Sequence, residues 1–469
     1  MHIAGHSFEV MTHSEMEMIH QGVMRILGEM GMEIQNQKLL AVCAEYGCSV
    51  DFDRQRVRFP VAIVEQFLER VDKVNWDKVR PEISATAGVY HSFYHEPNTQ
   101  RLLPWNEEFL INYFKLARSL PNVGSADMLG CRLPVPSPLE PLYERYYCWK
   151  YGAQAGGSIY IDGICPYLLD IYQAYADSLR QPLPDTFHAT VYLIPAMKLG
   201  IHEAYQVQYF WERDLRVGIG DMFAMGATVP VTVAGAVTLN VAERIALGIL
   251  NAALYGQYQF HLGVSIAPMD MRTMIYPFGR PESIIANLMT AQLSRYYQVS
   301  YSGHAGLTSA KLPSVEAGCQ KASSAIATLM VGGNLWMDAG LLAMDEVVSP
   351  IQMVLDNEYL GFLKRFCKEY AIDQDSLAIE TILAVGPGGT YIDKSHTARF
   401  FRNEIWEPSI WSRGMLNAWK DSGMQLDIDK ARAIVIDNQS KTDPYPGIDN
   451  TLEKEILAII GRAKSALCS

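Results

Sequence analysis

The chain has 469 residues, nearly half of them apolar, a length that one α/β barrel with flanking helices absorbs and an apolar content ample for a large core. Its formal charge of −12 and pI of about 5.4 argue against a nucleic-acid backbone as the main partner, because neutralising phosphates needs a basic surface. Nothing in the composition suggests disorder or a fibrous repeat.

The cysteines (Cys43, Cys48, Cys131, Cys148, Cys165, Cys319, Cys367 and Cys468) are scattered without a C-x-x-C pair and read as reduced, mostly buried thiols. No Cys/His cluster has zinc-ligand spacing, so no structural or catalytic zinc is expected. Residues 1–10 carry no basic stretch followed by an apolar run, so no signal peptide is expected. The longest apolar stretches, such as 224–239, are interrupted by Gly, Pro and Thr and are too broken for a membrane span, which leaves the cytoplasm as the expected compartment.

In chain order, Thr12-His13-Ser14-Glu15 reads as a capping box. Met16, Ile19, Val23, Ile26, Leu27 and Met30 follow at helical spacing, with Gly31 as the stop. A hairpin is expected over 48–59, with Val50, Phe52, Val57 and Phe59 as its apolar positions, then a helix over 60–71; residues 1–85 make an N-terminal helical layer. Beyond it, strands are predicted at 123–129, 158–162, 188–194, 216–221, 259–265, 299–302 and 334–338, with helices at 139–151, 231–254, 282–297 and 315–330. Such alternation implies a parallel sheet, and seven or eight units imply a closed TIM-type (β/α)8 barrel with its body at 86–348. A doubly wound sheet is the main competitor, but no G-x-G-x-x-G follows an early strand. Residues 349–469 are helix-rich, broken at Gly386-Pro387-Gly388-Gly389, and are expected as helical additions completing the barrel. No solenoid-period repeat is present.

A series of segments then carries a resemblance. They are Met225-Gly226-Ala227-Thr228-Val229-Pro230-Val231-Thr232-Val233-Ala234-Gly235; Asp270-Met271-Arg272-Thr273 with Gly279-Arg280-Pro281-Glu282; Ser309-Ala310-Lys311-Leu312-Pro313-Ser314-Val315-Glu316-Ala317-Gly318; the stretch ending Val354-Leu355-Asp356-Asn357-Glu358; and His396-Thr397 with Arg402, Trp406 and Pro408. In order and spacing they resemble the trimethylamine–corrinoid methyltransferase family over nearly the whole chain. The resemblance implies a TIM barrel that moves a methyl group from an amine to the cobalt of a corrinoid (cobalamin) carried by a separate small partner protein. The founding enzymes carry pyrrolysine; this sequence has none and resembles the branch acting on quaternary amines such as glycine betaine, proline betaine, carnitine and γ-butyrobetaine. Glycine betaine is placed first as the smallest and commonest of these.

A quaternary nitrogen has no lone pair and carries a full positive charge, so after attack by Co(I) on an N-methyl carbon a neutral tertiary amine leaves without needing a proton. The protein's task reduces to desolvation, orientation and an open path for the corrinoid. Aromatic faces suit such a cation, each contributing ~0.5–2 kcal/mol. Among 25 Tyr, 16 Phe and 8 Trp, those near expected strand ends are Tyr94, Tyr192, Phe223, Tyr301, Trp336 and Tyr391, although aromatics usually serve packing and each of these also reads as an ordinary packing residue.

A betaine carboxylate needs a cation or N–H donors, for which Arg272, His261, His304 and His396 are candidates. Arg272 reads alternatively as a rim ion pair, His304 as a loop-bonding imidazole and His396 as a helix cap. Glu316, beside Lys311, either balances the ammonium charge or sits solvated in the first turn of a helix. Gly226 and Thr228 either admit a planar macrocycle or only form a tight turn. Other readings remain: a non-catalytic betaine-binding protein, or a barrel enzyme for a methylamine or methyl ether. Self-association is expected for a barrel of this size.

Overall fold

The computed structural model describes residues 9–90, 92–193 and 196–468, with the side chains of Val264 and His304 outside the description. In the N-terminal layer, helix His13–Arg25 opens as the sequence implies: the Glu15 N–H donates to Thr12 Oγ1 at 3.3 Å, and the Thr12 N–H donates to Glu15 Oε2 at 2.7 Å. The helix runs into a π turn, Ile26–Met30, and ends at Gly31 with φ +67°. A Cβ there would lie 2.1 Å from the Val57 carbonyl oxygen, so only glycine fits. The expected hairpin is present as Ser49–Asp51 against Arg56–Arg58, and helix Val61–Arg70 follows. The hairpin is extended by Met32–Ile34, which in turn pairs in parallel with Lys198–Leu199 and ties this layer to the body.

The body is mixed α/β with a parallel sheet. Six strands lie side by side in the order His261–Val264, Ser300–Ala305, Asn334–Asp338, Ile83–Val89, Ala126–Met128, Gln154–Ala155, all parallel. Two further parallel ladders pair Thr190–Leu193 with Gly218–Asp221 and Phe223–Met225 with Ile266–Pro268. A single parallel bridge joins Ser158 to Thr190.

Strand Asn334–Asp338 and helix Val315–Met330 have the bounds their periodicity predicts. Strand Ile83–Val89 was invisible in the sequence: Ile-Ser-Ala-Thr-Ala-Gly-Val is too small and too weakly alternating to stand out, and it spans the expected 85/86 boundary. The strand expected at 158–162 is displaced to Gln154–Ala155 plus the Ser158 bridge. The 3-10 turn Asp162–Ile164 and the helix from Cys165, with Pro166 in its first turn, end the extended stretch there.

Helix Val233–Tyr255 is long and apolar enough to cross a membrane by length and composition, yet most of it is buried, packed against His13–Arg25 and Pro281–Tyr297 as a core helix. In the C-terminal part, Pro350–Phe366 packs on Asp427–Ser440, and Asn450–Leu467 on Cys165–Leu179. The Val354–Glu358 segment is structural. Asp356 takes a buried ion pair from Lys321 at 2.9 Å and the Gly340 N–H at 2.8 Å, while Glu358 Oε1 accepts the N–H groups of Ser409 and Ile410.

Candidate functional site

Parallel strands share one direction, so their C-terminal ends lie on one side, and a cavity of about 310 Å³ opens there. Tyr192, Gly220, Asp221, Ser265, Ala305 and Trp336 reach it from the strands or their ends, Tyr90 from the residue after Ile83–Val89. Arg244 comes from the core helix, and Tyr276, Phe278 and Arg280 come from the loop after Ile266–Pro268.

The aromatic part of the wall is fixed from behind. The Tyr276 hydroxyl donates to the Phe223 carbonyl at 3.1 Å, and the Ser309 hydroxyl donates to the Phe278 carbonyl at 2.8 Å. Tyr192 is 45 % exposed, but that surface faces the cavity; burial, then Glu144 and Asp127, push its phenol up to about 12. The Tyr90 phenol is held well above its ordinary value by burial first, then by Asp338, Asp127 and Asp345. Burial and the nearby carboxylates thus both keep these phenols neutral, and neutral, desolvated aromatic faces suit an organic cation.

Two carboxylates line the cavity itself. Asp221 is 7 % exposed and paired with Arg244, whose Nη2 lies 2.5 Å from Oδ1. Burial nevertheless raises the Asp221 carboxyl, against the pull of Arg244. Asp345 ends a run of three non-glycine residues in the left-handed region, Ala343 (φ +55°), Met344 (φ +59°) and Asp345 (φ +67°). Each such residue costs roughly 1–2 kcal/mol. The turn is pinned by the Ala343 N–H on the Ala310 carbonyl at 2.7 Å and the Met344 N–H on the Thr308 carbonyl at 3.0 Å. Strain held this firmly is characteristic of functional sites.

At the rim, Asp270 accepts the backbone N–H groups of Arg272 at 2.9 Å and Thr273 at 3.3 Å, and its other oxygen meets Arg280 at 3.3 Å. The Asp270–Glu282 motif thus sends Arg280 to the cavity, while the Arg272 side chain is exposed outside it. Arg244 and Arg280 supply guanidinium groups that suit a carboxylate. Among the described lining residues there is no Cys, His or Lys, and among the described residues no group of three His, Cys, Asp or Glu is arranged to hold a metal ion.

Of the residues singled out from sequence, the structure brings Tyr192 and Trp336 together at this cavity. Tyr94 is buried instead in a side cluster, stacked on Phe109 with ring centroids 4.3 Å apart. Phe223 and Tyr301 are core residues, and the Tyr301 hydroxyl donates to Asn287 on helix Pro281–Tyr297. Neither is part of the cavity lining. Glu316 is exposed and accepts from Gln320 at 3.2 Å, the solvated first-turn arrangement, and Lys311 is exposed as well. Tyr391 is exposed on the C-terminal part, and His396 bonds the Asp375 carbonyl at 3.1 Å and packs on Phe400, also remote from the cavity lining. His261 opens its strand at the opposite end. The backbone of His304 pairs with Trp336 in register; its side chain lies outside the described residues. Gly226 (φ +87°) and Thr228, whose Oγ1 accepts the Ala224 N–H at 2.9 Å, form a tight turn that is not part of the cavity wall.

Tyr90, Asp221, Arg244, Tyr276, Phe278, Arg280 and Asp345 were missed. Two had a signal: Asp221 closes a predicted strand, and Arg280 stands in a quoted motif.

The chain matches the trimethylamine methyltransferase (MTTB) family over residues 2–85 and 199–468. It is 24 % identical over 429 residues to the glycine betaine methyltransferase of Desulfitobacterium hafniense (strain Y51), covering 88 % of each chain. It is 22 % identical to the trimethylamine methyltransferase MttB of Methanosarcina barkeri (strain Fusaro / DSM 804), covering 98 % of this chain and 96 % of that one. Among solved structures, the Methanosarcina barkeri monomethylamine methyltransferase (MtmB) aligns over 90 % of this chain and 92 % of its own with 11 % identity and a TM-score of 0.44, a likeness too loose to build on. With the family's match spanning well over half of the sequence, the chain belongs to the trimethylamine methyltransferase (MTTB) family.

Proposed function

We propose that this chain is a cytoplasmic methyltransferase that moves a methyl group from a quaternary amine, glycine betaine first, to the corrinoid of a separate small protein. The observation that carries this reading is the cavity wall: Tyr90, Tyr192, Tyr276, Phe278 and Trp336 with Asp221 and Asp345, a cation's surroundings, beside Arg244 and Arg280 for a carboxylate. The parallel ladders are read as a single (β/α)8 barrel, supported by the Ser158–Thr190 bridge and by the pairing of Phe223–Met225 with Ile266–Pro268.

When docked, the partner's corrinoid supplies a strong Co(I) nucleophile for the methyl carbon. A cavity of about 310 Å³ fits a small betaine but not the far broader macrocycle. The two therefore meet at the mouth, where Met222, Met271, Met274 and Ile275 are exposed on the rim loops. The chain itself strips water from the ammonium, holds it on the aromatic faces and turns one N-methyl group outward; no acid is required, because the leaving amine is neutral. Self-association belongs to the same reading: Ile372, Leu383, Ile392 and Met415 expose apolar surface of the kind proteins bury against another chain.

The test is binding of glycine betaine against 3,3-dimethylbutyrate, which has the same shape with carbon in place of the charged nitrogen. Calorimetry should show the betaine bound at least about tenfold more tightly. Equal affinity for the two would refute the cation site.

A further inference from the structure

The core helix places a second carboxylate beside Asp221, behind the cavity wall. Glu243, fully buried, precedes Arg244, and its Oε2 accepts the Met197 N–H. Its Oε1 has no hydrogen-bond partner, and neither has Asp221 Oδ2, although Asp221 lines the cavity and is more than nine-tenths buried. The two side chains lie within hydrogen-bonding reach of each other. Two ionised carboxylates there would present bare acceptors to one another in a site of low dielectric; one shared proton satisfies both orphaned oxygens at once.

Resting on the methyl-donor reading above, we infer that Asp221 and Glu243 form a one-proton pair that sets the charge of the cation site, and that a quaternary amine enters with release of that proton to solvent. With the proton in place, Asp221, Glu243 and Arg244 sum to zero; without it they sum to −1, the state that a bound cation favours. Burial pushes the Glu243 carboxyl up to about 7, with Asp221 reinforcing and Arg244 opposing. The free pair therefore exchanges its proton in the physiological range, and apparent affinity for a cation rises with pH through that range. The other groups facing the trio do not produce this dependence. The Tyr276 phenol is raised and stays neutral. His261, which opens its strand at the end away from the cavity, is held below its ordinary value by burial, Arg244 and Arg216, and His261→Asn tests its part separately.

The experiment measures binding of glycine betaine, which has no group titrating between pH 6 and 8, to the full-length protein by calorimetry in buffers of differing ionisation enthalpy. The expected result is affinity rising about three- to tenfold from pH 6 to 8, with fractional proton release near pH 6.5. Glu243→Gln, which mimics the protonated form and can donate to Asp221, should bind with no pH dependence and no proton release, and His261→Asn should behave as wild type. Infrared spectroscopy of the ligand-free protein supplies a readout independent of binding: a protonated carboxyl band that disappears near neutrality and is missing in Glu243→Gln. Betaine binding without pH dependence, or a dependence that survives Glu243→Gln, would overturn the pair while leaving the methyl-donor reading intact. A titrating carboxyl band with no amine bound at any pH would establish the proton pair but overturn both its link to the amine and that reading.

Discussion

The Tyr301 hydroxyl donates to Asn287 Oδ1 at 2.7 Å, so a strand residue only 3 % exposed fixes an amide of helix Pro281–Tyr297 that lines the cavity. Tyr301 thus stands behind the site, whereas Trp336 stands in it. Tyr301→Phe should cost about 1 kcal/mol of stability through the lost bond and shift the KM for a betaine less than about threefold. Trp336→Ala should raise that KM about 5–30-fold, equivalent to ~1–2 kcal/mol for a desolvated cation–π contact, and Trp336→Phe much less. Thermal unfolding and steady-state kinetics on the same samples separate the two effects. A KM for Tyr301→Phe as poor as that of Trp336→Ala would put the Tyr301 ring in the cage.

Gly226 should behave as a turn residue. At φ +87° an added Cβ is strained, and it would also meet Met271 Sδ at 3.1 Å. Gly226→Ala is expected to destabilise the protein by about 1–2 kcal/mol. Thr228→Val, which strips the acceptor from the Ala224 N–H, should cost about 1 kcal/mol. Betaine affinity should be unchanged in both. Unfolding midpoints identical to wild type in both variants would contradict the turn role.

The sequence was most legible where one residue type has one physical use. Thr12 with Glu15 gave the capping box, Gly31 the stop, and the apolar spacing of 315–330 and 334–338 a helix and a strand at their observed bounds. Strand Ile83–Val89 was lost because a strand of small residues carries no amphipathic signature. The cavity was harder. Aromatic residues on strands look alike in the sequence whether they pack in the core or line a cavity, which is why Tyr192 and Trp336 were found alongside Tyr301 and Phe223. Asp345 depends on a left-handed turn with no glycine to announce it, and Arg244 on the rotation of a helix apolar on nearly every side.

Stability should depend on pH through Glu243. Its folded value of about 7 lies above the ordinary 4.5, mainly because of burial, so the folded state retains a proton that the unfolded chain releases. Stability from this group is complete below pH 4.5, is lost as pH rises to about 7 and is level beyond it. Glu243→Gln removes the titration, and at pH 8 it should be more stable than wild type by up to about 3 kcal/mol, with the two converging near pH 4.5. Denaturant unfolding across that range checks the sign; a wild-type protein that gains stability from pH 5 to 7 relative to Glu243→Gln would contradict it.

Chelation should leave activity untouched. The scattered cysteines offer no zinc-ligand spacing, and the proposed transfer asks nothing of a metal bound to this chain. Prolonged dialysis against EDTA should leave the rate of methyl transfer unchanged; loss of activity restored by added zinc would contradict the prediction.

The central claim is tested most directly by the cobalt itself. A corrinoid protein reduced to Co(I) is mixed with this chain and glycine betaine, and the absorption spectrum is followed alongside mass spectrometry of the amine. The account predicts catalytic conversion of the Co(I) spectrum to that of methyl-Co(III), with one dimethylglycine formed per methyl group transferred and a much slower conversion with Trp336→Ala. A Co(I) spectrum unchanged with glycine betaine, proline betaine, carnitine and γ-butyrobetaine, under conditions where the protein is folded, would contradict it.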